Sequence, residues 1–404
     1  MARRRAFAIA VAVVVVVVAV ILLAGGSGGH PFAPFSGGAG DPLAYSPARQ
    51  AGDERRAAAG LAPVLYEKSP GGVVATARRV AHWRPLVERV ARAQRLDPDM
   101  LEALIFLESG GRADAQASSD LNGAAGLTQI LAQTGSGLLG LHVDVAASTR
   151  LTQRIARGRR VAATVKQRRL VDQRFDPAAA IAATGRYLAL ARKDLGRDDL
   201  AFESYHMGIG NLQGALRAYG DTGIPYAQLF FDSTPLRHAA AWTRIASLGD
   251  DSSTYLWRLF AARDVMRRWR ADPGALSRHA AAVLSPAPSA PGGPLVRVAE
   301  RDLAADGVRV SAQRTLMPAA TAALLRYVGL GVRRIAKVTP LVAGPSQRLA
   351  LDVLRSYRSP AQAQAFQFAL DRLTALDVIS WSRTPAVIHI LVSSDAGREL
   401  AGAP

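Results

Sequence analysis

The stretch DPDMLEALIFLESGGRADAQASSDLNGAAGLTQI, residues 97–130, contains the signals that decide the local fold. Asp97 is a favourable N-cap residue, and Pro98 suits the first position of a helix. The Gly-Gly pair at 110–111 is a stop signal. Together these signals predict a short helix from Pro98 to about Ser109.

Glu108 falls in the last turn of this predicted helix. Counting back by seven, four and three residues gives Leu101, Leu104 and Ile105, so Glu108 leaves the helix on its apolar face. Burial disfavours the charged form of a carboxyl, and the negative end of the helix dipole acts in the same direction. A carboxyl that stays protonated near neutral pH can serve as a general acid. The alternative is a glutamate on the rim of the helix that reaches water or pairs with Arg112.

Three short motifs extend this observation along the chain. They are Glu108-Ser109 at the helix end, GLTQI at 126–130, and SYHMG at 204–208, with FDPAAAIAATGRYL (175–188) between the last two. In this order they resemble the soluble-lytic-transglycosylase family, which shares its fold with goose-type lysozyme. The resemblance covers residues 80–219, and more loosely the chain up to about residue 279.

The resemblance implies a lysozyme-like helical domain that cleaves the bond between N-acetylmuramic acid and N-acetylglucosamine in peptidoglycan. It implies that Glu108 carries both proton transfers, that a 1,6-anhydromuramic end is formed, and that no cofactor or metal is needed. Ser109, Gln129, Tyr205 and His206 then lie at the substrate. From the residues alone, Ser109 can be a polar residue at the helix C-terminus, Gln129 can cap local backbone, and Tyr205 can be a core aromatic.

Two departures from the family pattern keep other readings open. Thr128 stands where methionine is common, and His206 where asparagine is common. A hydrolytic muramidase on the same fold is one alternative, and it needs a water-activating carboxylate such as Asp114 or Asp120. A wall-binding or assembly factor without activity is the other.

The N-terminus predicts a membrane anchor. Three arginines at 3–5 precede nineteen uncharged, mostly apolar residues at 6–24, enough to cross ~30 Å of hydrocarbon. The arginines place the N-terminus in the cytoplasm and the rest of the chain outside it. A signal peptide that is cleaved, giving a secreted protein, is the alternative, although its apolar core is typically ~7–15 residues. The chain has no cysteine, so disulfides and thiolate metal sites are excluded.

The remaining composition divides the chain into further parts. Residues 25–72, rich in glycine and proline at their start, are predicted to be a flexible spacer. Residues 73–284 read as one all-helical domain, with caps at Asp97, Asp176 and Asp198. SPAPSAPGGP at 285–294 reads as a second linker.

A basic segment lies inside the predicted helical domain. Residues 150–169 carry eight basic side chains and no acidic one. The segment is either a solvated helix face or a basic lip for the glycan or an anionic wall polymer. Nucleic acid is a poor partner for a chain anchored outside the cytoplasm, despite a net charge of +18.

Residues 295–404 predict a small α+β domain of unassigned role. Strands are expected at 295–298, 349–354 and 386–393, and helices at 318–327 and 360–376. RSYR at 355–358 is followed by a glutamine-rich predicted helix and a late histidine, and through these features this part loosely resembles zinc-dependent wall carboxypeptidases. However, His389 is its one histidine, whereas a catalytic zinc needs about three protein ligands, so we expect no zinc site.

Overall fold

The computed structural model describes residues 45–158, 160–234, 237–284 and 359–392, together with five strands between 295 and 354. In these residues the protein is mainly helical, as the sequence predicts. The helices are α1 (Gln50–Lys68), α2 (Val73–Ala81), α3 (Arg84–Gln94), α4 (Pro98–Ser109), α5 (Ala132–Gly137), α6 (Val145–Ala156), α7 (Val161–Val171), α8 (Pro177–Leu195), α9 (Asp198–Met207), α10 (Ile209–Tyr219), α11 (Tyr226–Asp232), α12 (Ala239–Ala246), α13 (Tyr255–Ala271), α14 (Pro273–Leu284) and α15 (Pro360–Ala375).

Helix α4 has the bounds that its sequence signals predict. The Asp97 side chain accepts a hydrogen bond from the backbone N–H of Asp99, at 2.8 Å, and so caps the helix. Gly110 ends it with a φ of 60°. Leu101, Leu104 and Ile105 are fully buried and face α13 across the core. Glu108 therefore lies on the helix face that packs inward.

The spacer prediction for residues 25–72 is wrong over much of its length. Residues 50–68 form α1, in which Ala57 and Ala58 are buried against α13 and α15. The sequence of α1 has a weak apolar period and an internal Pro63. Its stability comes from tertiary packing, which a local pattern does not reveal. Residues 25–44 lie outside the described part of the chain.

Of the two N-caps predicted further along the chain, Asp176 is confirmed, whereas Asp198 lies one residue inside its helix. Asp176 caps α8 by accepting the backbone N–H of Ala179 at 2.8 Å. Asp198, in contrast, is the first residue of α9, and Arg197 occupies the cap position. An acidic residue in the first turn still stabilises the helix through its dipole.

The strands in the described residues form three sheets. Two-residue strands β1 (Ala124–Ala125) and β2 (Ile130–Leu131) pair in an antiparallel hairpin inside the helical part. The C-terminal strands are β3 (Leu295–Ala299), β4 (Val308–Val310), β5 (Arg314–Pro318), β6 (Ile335–Pro340), β7 (Ala350–Leu354), β8 (Ile379–Arg383) and β9 (Val387–Val392). β3 pairs with β5, and the other five form one sheet in the order β4-β6-β7-β9-β8.

The C-terminal prediction is correct for three strands and one helix. β3, β7, β9 and α15 lie close to their expected positions. Pro318 ends strand β5 rather than starting a helix, and residues 319–334 lie outside the described part. The strands β4, β5, β6 and β8 were not expected.

Helix α15 joins the core of the helical part rather than standing apart in a separate domain. The centroid of its Phe368 ring lies 4.5 Å from the centroid of the Trp242 ring and 5.6 Å from that of the Phe230 ring. Arg372, which is buried, donates a hydrogen bond to the backbone carbonyl of Phe231 at 2.8 Å. Residues 359–392 therefore share one hydrophobic core with the helices that surround Glu108.

The predicted anchor at residues 6–24 and the linker at 285–294 lie outside the described residues. Within the part that is described, no helix is long and apolar enough to cross a membrane. The membrane topology thus stays a prediction from the sequence.

Candidate active site

Glu108 is a half-buried carboxyl whose proton affinity is strongly perturbed. The hydroxyl of Tyr255 donates a hydrogen bond to its Oε1 atom at 2.6 Å. Burial raises the pKa of Glu108 from 4.5 to about 7. The Tyr255 hydrogen bond and the charge of Arg258 oppose that rise, and the charge of Asp251 adds to it. At neutral pH the site therefore holds both the acid and the carboxylate form in comparable amounts.

Tyr255, at the start of α13, was not among the site residues predicted from the sequence. It is separated from Glu108 by 147 positions, and no motif marks it. Its ring stacks on the imidazole of His206, with centroids 5.1 Å apart and planes at 27°. Tyr255 thus connects Glu108 to the third motif.

Tyr205 joins the second and third motifs. Its hydroxyl donates to the backbone carbonyl of Thr128 at 2.7 Å and lies 3.2 Å from the Thr184 hydroxyl oxygen. The charge of Glu108 helps to raise the pKa of Tyr205, after burial, so the two side chains are electrostatic neighbours. The structure therefore brings Glu108, Tyr205 and Tyr255 to one place.

Gln129 stabilises the β1–β2 hairpin next to Glu108, Tyr205 and Tyr255. Its backbone has a φ of 50°, and its amide nitrogen donates to the carbonyls of Gly126 at 2.8 Å and Ala115 at 3.3 Å. These two bonds use the amide hydrogens on local backbone, which is the alternative that the sequence left open for this residue.

Gly126, at the head of the second motif, occupies a position that only glycine tolerates. Its φ is +82°, and a Cβ atom there would lie 1.8 Å from the carbonyl oxygen of Arg174. Arg174 is fully buried, pairs with Asp172 at 2.8 Å, and donates to the carbonyl of Leu121 at 2.8 Å. The close approach lets the buried Arg174–Asp172 pair hold the β1–β2 hairpin in position.

Ser109 and His206 occupy contrasting environments. Ser109 is buried and donates to the carbonyl of Ile105 in its own helix, at 3.4 Å. The His206 side chain is 35% exposed, with its Nδ1 atom 2.9 Å from the Ser252 hydroxyl and its Nε2 atom 4.0 Å from Asp251. Burial of the ring lowers the pKa of His206, so the imidazole is mainly neutral at pH 7. His206 thus lies at the surface of the site, whereas Ser109 supports the helix end.

Asp251 is the carboxylate whose charge acts on Glu108. It forms an ion pair with Arg258 at 2.5 Å. Asp114 and Asp120 are both exposed, and the Asp120 carboxylate accepts two hydrogen bonds from Asn122 in a local turn. Neither of these two is among the charges that shift the pKa of Glu108.

Glu203 is a second buried carboxyl, one helix away. Its Oε2 atom accepts the backbone N–H of Leu256 at 2.8 Å, and burial raises its pKa to about 8. This bond attaches α9, which carries Tyr205, to the start of α13, which carries Tyr255. Glu203 therefore fixes the relative position of the two tyrosines.

The basic segment at 150–169 is mostly solvent-exposed, but not entirely. Arg168 is buried, and its guanidinium lies 3.9 Å from the centroid of the Phe175 ring. Burial lowers its pKa. Arg168 therefore packs against the core rather than facing solvent. Arg159 lies outside the described residues. The other six basic side chains are exposed or half-buried.

The part of the chain that the structure describes contains no group of three or more side chains able to hold a metal ion. The chain matches no protein-family model.

Proposed function

We propose that the protein is a peptidoglycan lytic transglycosylase with a lysozyme-like helical catalytic domain. The observation that carries the proposal is the Glu108 carboxyl, half-buried, with a pKa of about 7 and held by Tyr255 where the three motifs meet. A single carboxyl poised between acid and carboxylate suits a reaction in which one residue first gives and then takes a proton.

In the first step Glu108, in its protonated form, gives its proton to the glycosidic oxygen between N-acetylmuramic acid and N-acetylglucosamine. The bond between the muramic C1 atom and that oxygen breaks, and the oxygen leaves as a hydroxyl group. The substrate's own 2-acetamido group stabilises the positive charge at C1. The Tyr255 hydroxyl stays on Oε1, so Oε2 is the oxygen that delivers the proton.

In the second step Glu108 is a carboxylate and takes the proton from the 6-hydroxyl of the same muramic residue. The O6 atom then bonds to C1, which gives the 1,6-anhydro ring and returns Glu108 to its acid form. The Tyr255 hydrogen bond and the positive charge of Arg258 both stabilise the intermediate carboxylate. No water is consumed in either step.

The surroundings of Glu108 favour this reaction over hydrolysis by two carboxylates. Asp114 and Asp120, which a muramidase would need, are exposed and do not act on Glu108. Asp251 does act on it, but is held by Arg258. The hydrolytic alternative therefore lacks a carboxylate that is both near Glu108 and unpaired among the described residues.

The proposed cellular setting follows from the sequence. The anchor at residues 6–24 would hold the domain at the outer face of the cytoplasmic membrane, where its partner is the peptidoglycan glycan strand. The exposed basic side chains at 150–169 would face anionic wall polymers.

Mass analysis of the products from purified peptidoglycan tests the proposal. Wild-type protein should release fragments that are one water lighter than those of a lysozyme digest. Reducing muramic ends would instead establish a muramidase, and an absence of fragments would favour a binding factor.

A further inference from the structure

A cleft lies where the C-terminal sheet meets the helical part, and none of its lining residues belongs to the three motifs. It has a volume of about 210 Å³, and its lining includes Gly249, Gln364, Gln367, Trp381 and Arg383. Gly249 comes from the loop after α12, the two glutamines from α15, and the last two from β8. We call it the junction cleft.

Its lining combines an aromatic ring, a guanidinium and side-chain amides, which are the groups that can contact an acidic amino sugar. Trp381 and Arg383 lie two residues apart on β8, and so on the same face of the sheet. The half-buried indole of Trp381 offers a flat apolar surface for a sugar ring. Arg383 is exposed and donates a hydrogen bond to the side-chain amide oxygen Oε1 of Gln367 at 3.0 Å, while its guanidinium can also pair with a carboxylate.

The side-chain amides of Gln364 and Gln367 also line the cleft. The Gln364 amide reaches across to Gly249, where a Cβ atom would lie 2.6 Å from its Nε2 atom. Gly249 has a φ of +70°, so both its conformation and its missing side chain suit this approach. Amide side chains donate and accept at once, which suits the acetamido group of an N-acetylated sugar.

The junction cleft is connected to the Glu108 site by one short loop. Gly249 lines the cleft, Asp251 and Ser252 contact His206, and Tyr255 binds Glu108. From Gly249 to Tyr255 the chain spans at most ~20 Å. The Trp381 indole donates to Asp371, whose carboxyl interacts electrostatically with Asp251. The two places thus lie at opposite ends of the same loop.

We propose that the junction cleft is a subsite for the glycan strand, in which an N-acetylated sugar bearing a carboxylate binds while another part of the same strand lies at Glu108. This inference rests on the proposed function and gives the C-terminal region a role in it. The subsite would increase the affinity for long strands and contribute nothing to the chemical step.

Peptide-free glycan strands of graded length test the subsite with the full-length protein. Trp381→Ala and Arg383→Gln should each raise KM for long strands roughly three- to tenfold, the worth of one aromatic or charged contact, without changing kcat. Strands too short to reach the cleft should show no effect. Ser382→Ala, on the opposite face of β8, is the matched control and should behave like wild type at every length.

Several results would overturn the subsite. They are an equal effect of Trp381→Ala at all lengths, no effect of either variant, or an effect that requires attached peptide. Arg383→Gln changes an exposed side chain, so it decides the question if Trp381→Ala fails to fold. Equilibrium binding of the same strands in a Glu108→Gln background separates this proposal from the catalytic one. Loss of long-strand affinity on Arg383→Gln there supports the cleft even if the wild type cleaves nothing.

Discussion

Replacement of Glu108 by glutamine should abolish cleavage and stabilise the fold at the same time. Glutamine keeps the shape and can still accept the Tyr255 hydrogen bond, but it cannot give a proton to the leaving oxygen. General acid–base assistance contributes ~10²–10⁴-fold, and the proposed mechanism assigns both proton transfers to Glu108, so activity should fall by at least about 10³-fold.

The stability gain follows from the pKa of Glu108. A carboxyl whose pKa rises from 4.5 in the unfolded chain to about 7 in the fold stabilises the folded state below pH 4.5. That contribution is lost as the pH rises to about 7, because the folded state must then bury a charge. A shift of this size corresponds to at most about 3 kcal/mol, and the partial exposure of Glu108 reduces the expected gain to ~1–2 kcal/mol.

Urea unfolding of the wild type and of Glu108→Gln at pH 5, 6, 7 and 8 measures this difference. The advantage of the variant should grow across that range and level off above pH 7. Glu88→Gln, which alters an exposed ion pair with Arg84, is the control and should change stability by less than about 0.5 kcal/mol at every pH. A stability difference that does not vary with pH would refute the burial argument, and wild-type cleavage by Glu108→Gln would show that the site is elsewhere.

Three further variants probe the surroundings of Glu108. Tyr255→Phe removes a hydrogen bond that favours the ionised carboxyl, so the pKa of Glu108 should rise. The alkaline limb of the pH profile of kcat/KM should then move to higher pH. An unmoved limb would contradict the assignment of Glu108 as the acid. Tyr205→Phe should lower activity about tenfold, less than the loss at Glu108, and lower stability by ~1 kcal/mol, since the lost hydroxyl bonds Thr128 and Thr184 and gives no proton to the substrate. Turnover assays and chemical denaturation measure the two effects. Gly126→Ala should destabilise the protein by more than about 2 kcal/mol in thermal unfolding, because the new Cβ atom would collide with the backbone carbonyl of Arg174. If the variant is instead as stable as the wild type, the hairpin adapts to the side chain.

Local signals in the sequence were enough to predict helix α4 and the position of Glu108 on it. The cap at Asp97, the proline after it and the glycine stop act within one or two turns, so the chain needs no distant contact to define them. The same holds for α8, α15 and the strands with clear apolar runs. Where the local pattern is weak, as in α1, prediction from sequence failed because packing against α13 and α15 supplies the stability.

The environment of Glu108 was decided by tertiary structure. Tyr255 and Arg258 come from a helix that begins 147 positions later, and their contact with Glu108 depends on how α13 packs across α4. Whether Ser109 and Gln129 face the substrate or their own backbone also depended on side-chain directions that the spacing left open. The sequence by itself determined Glu108 as the candidate for the proton transfers. Only the fold determined the pKa of that carboxyl, because desolvation and neighbouring charges arise from chain segments brought together in space.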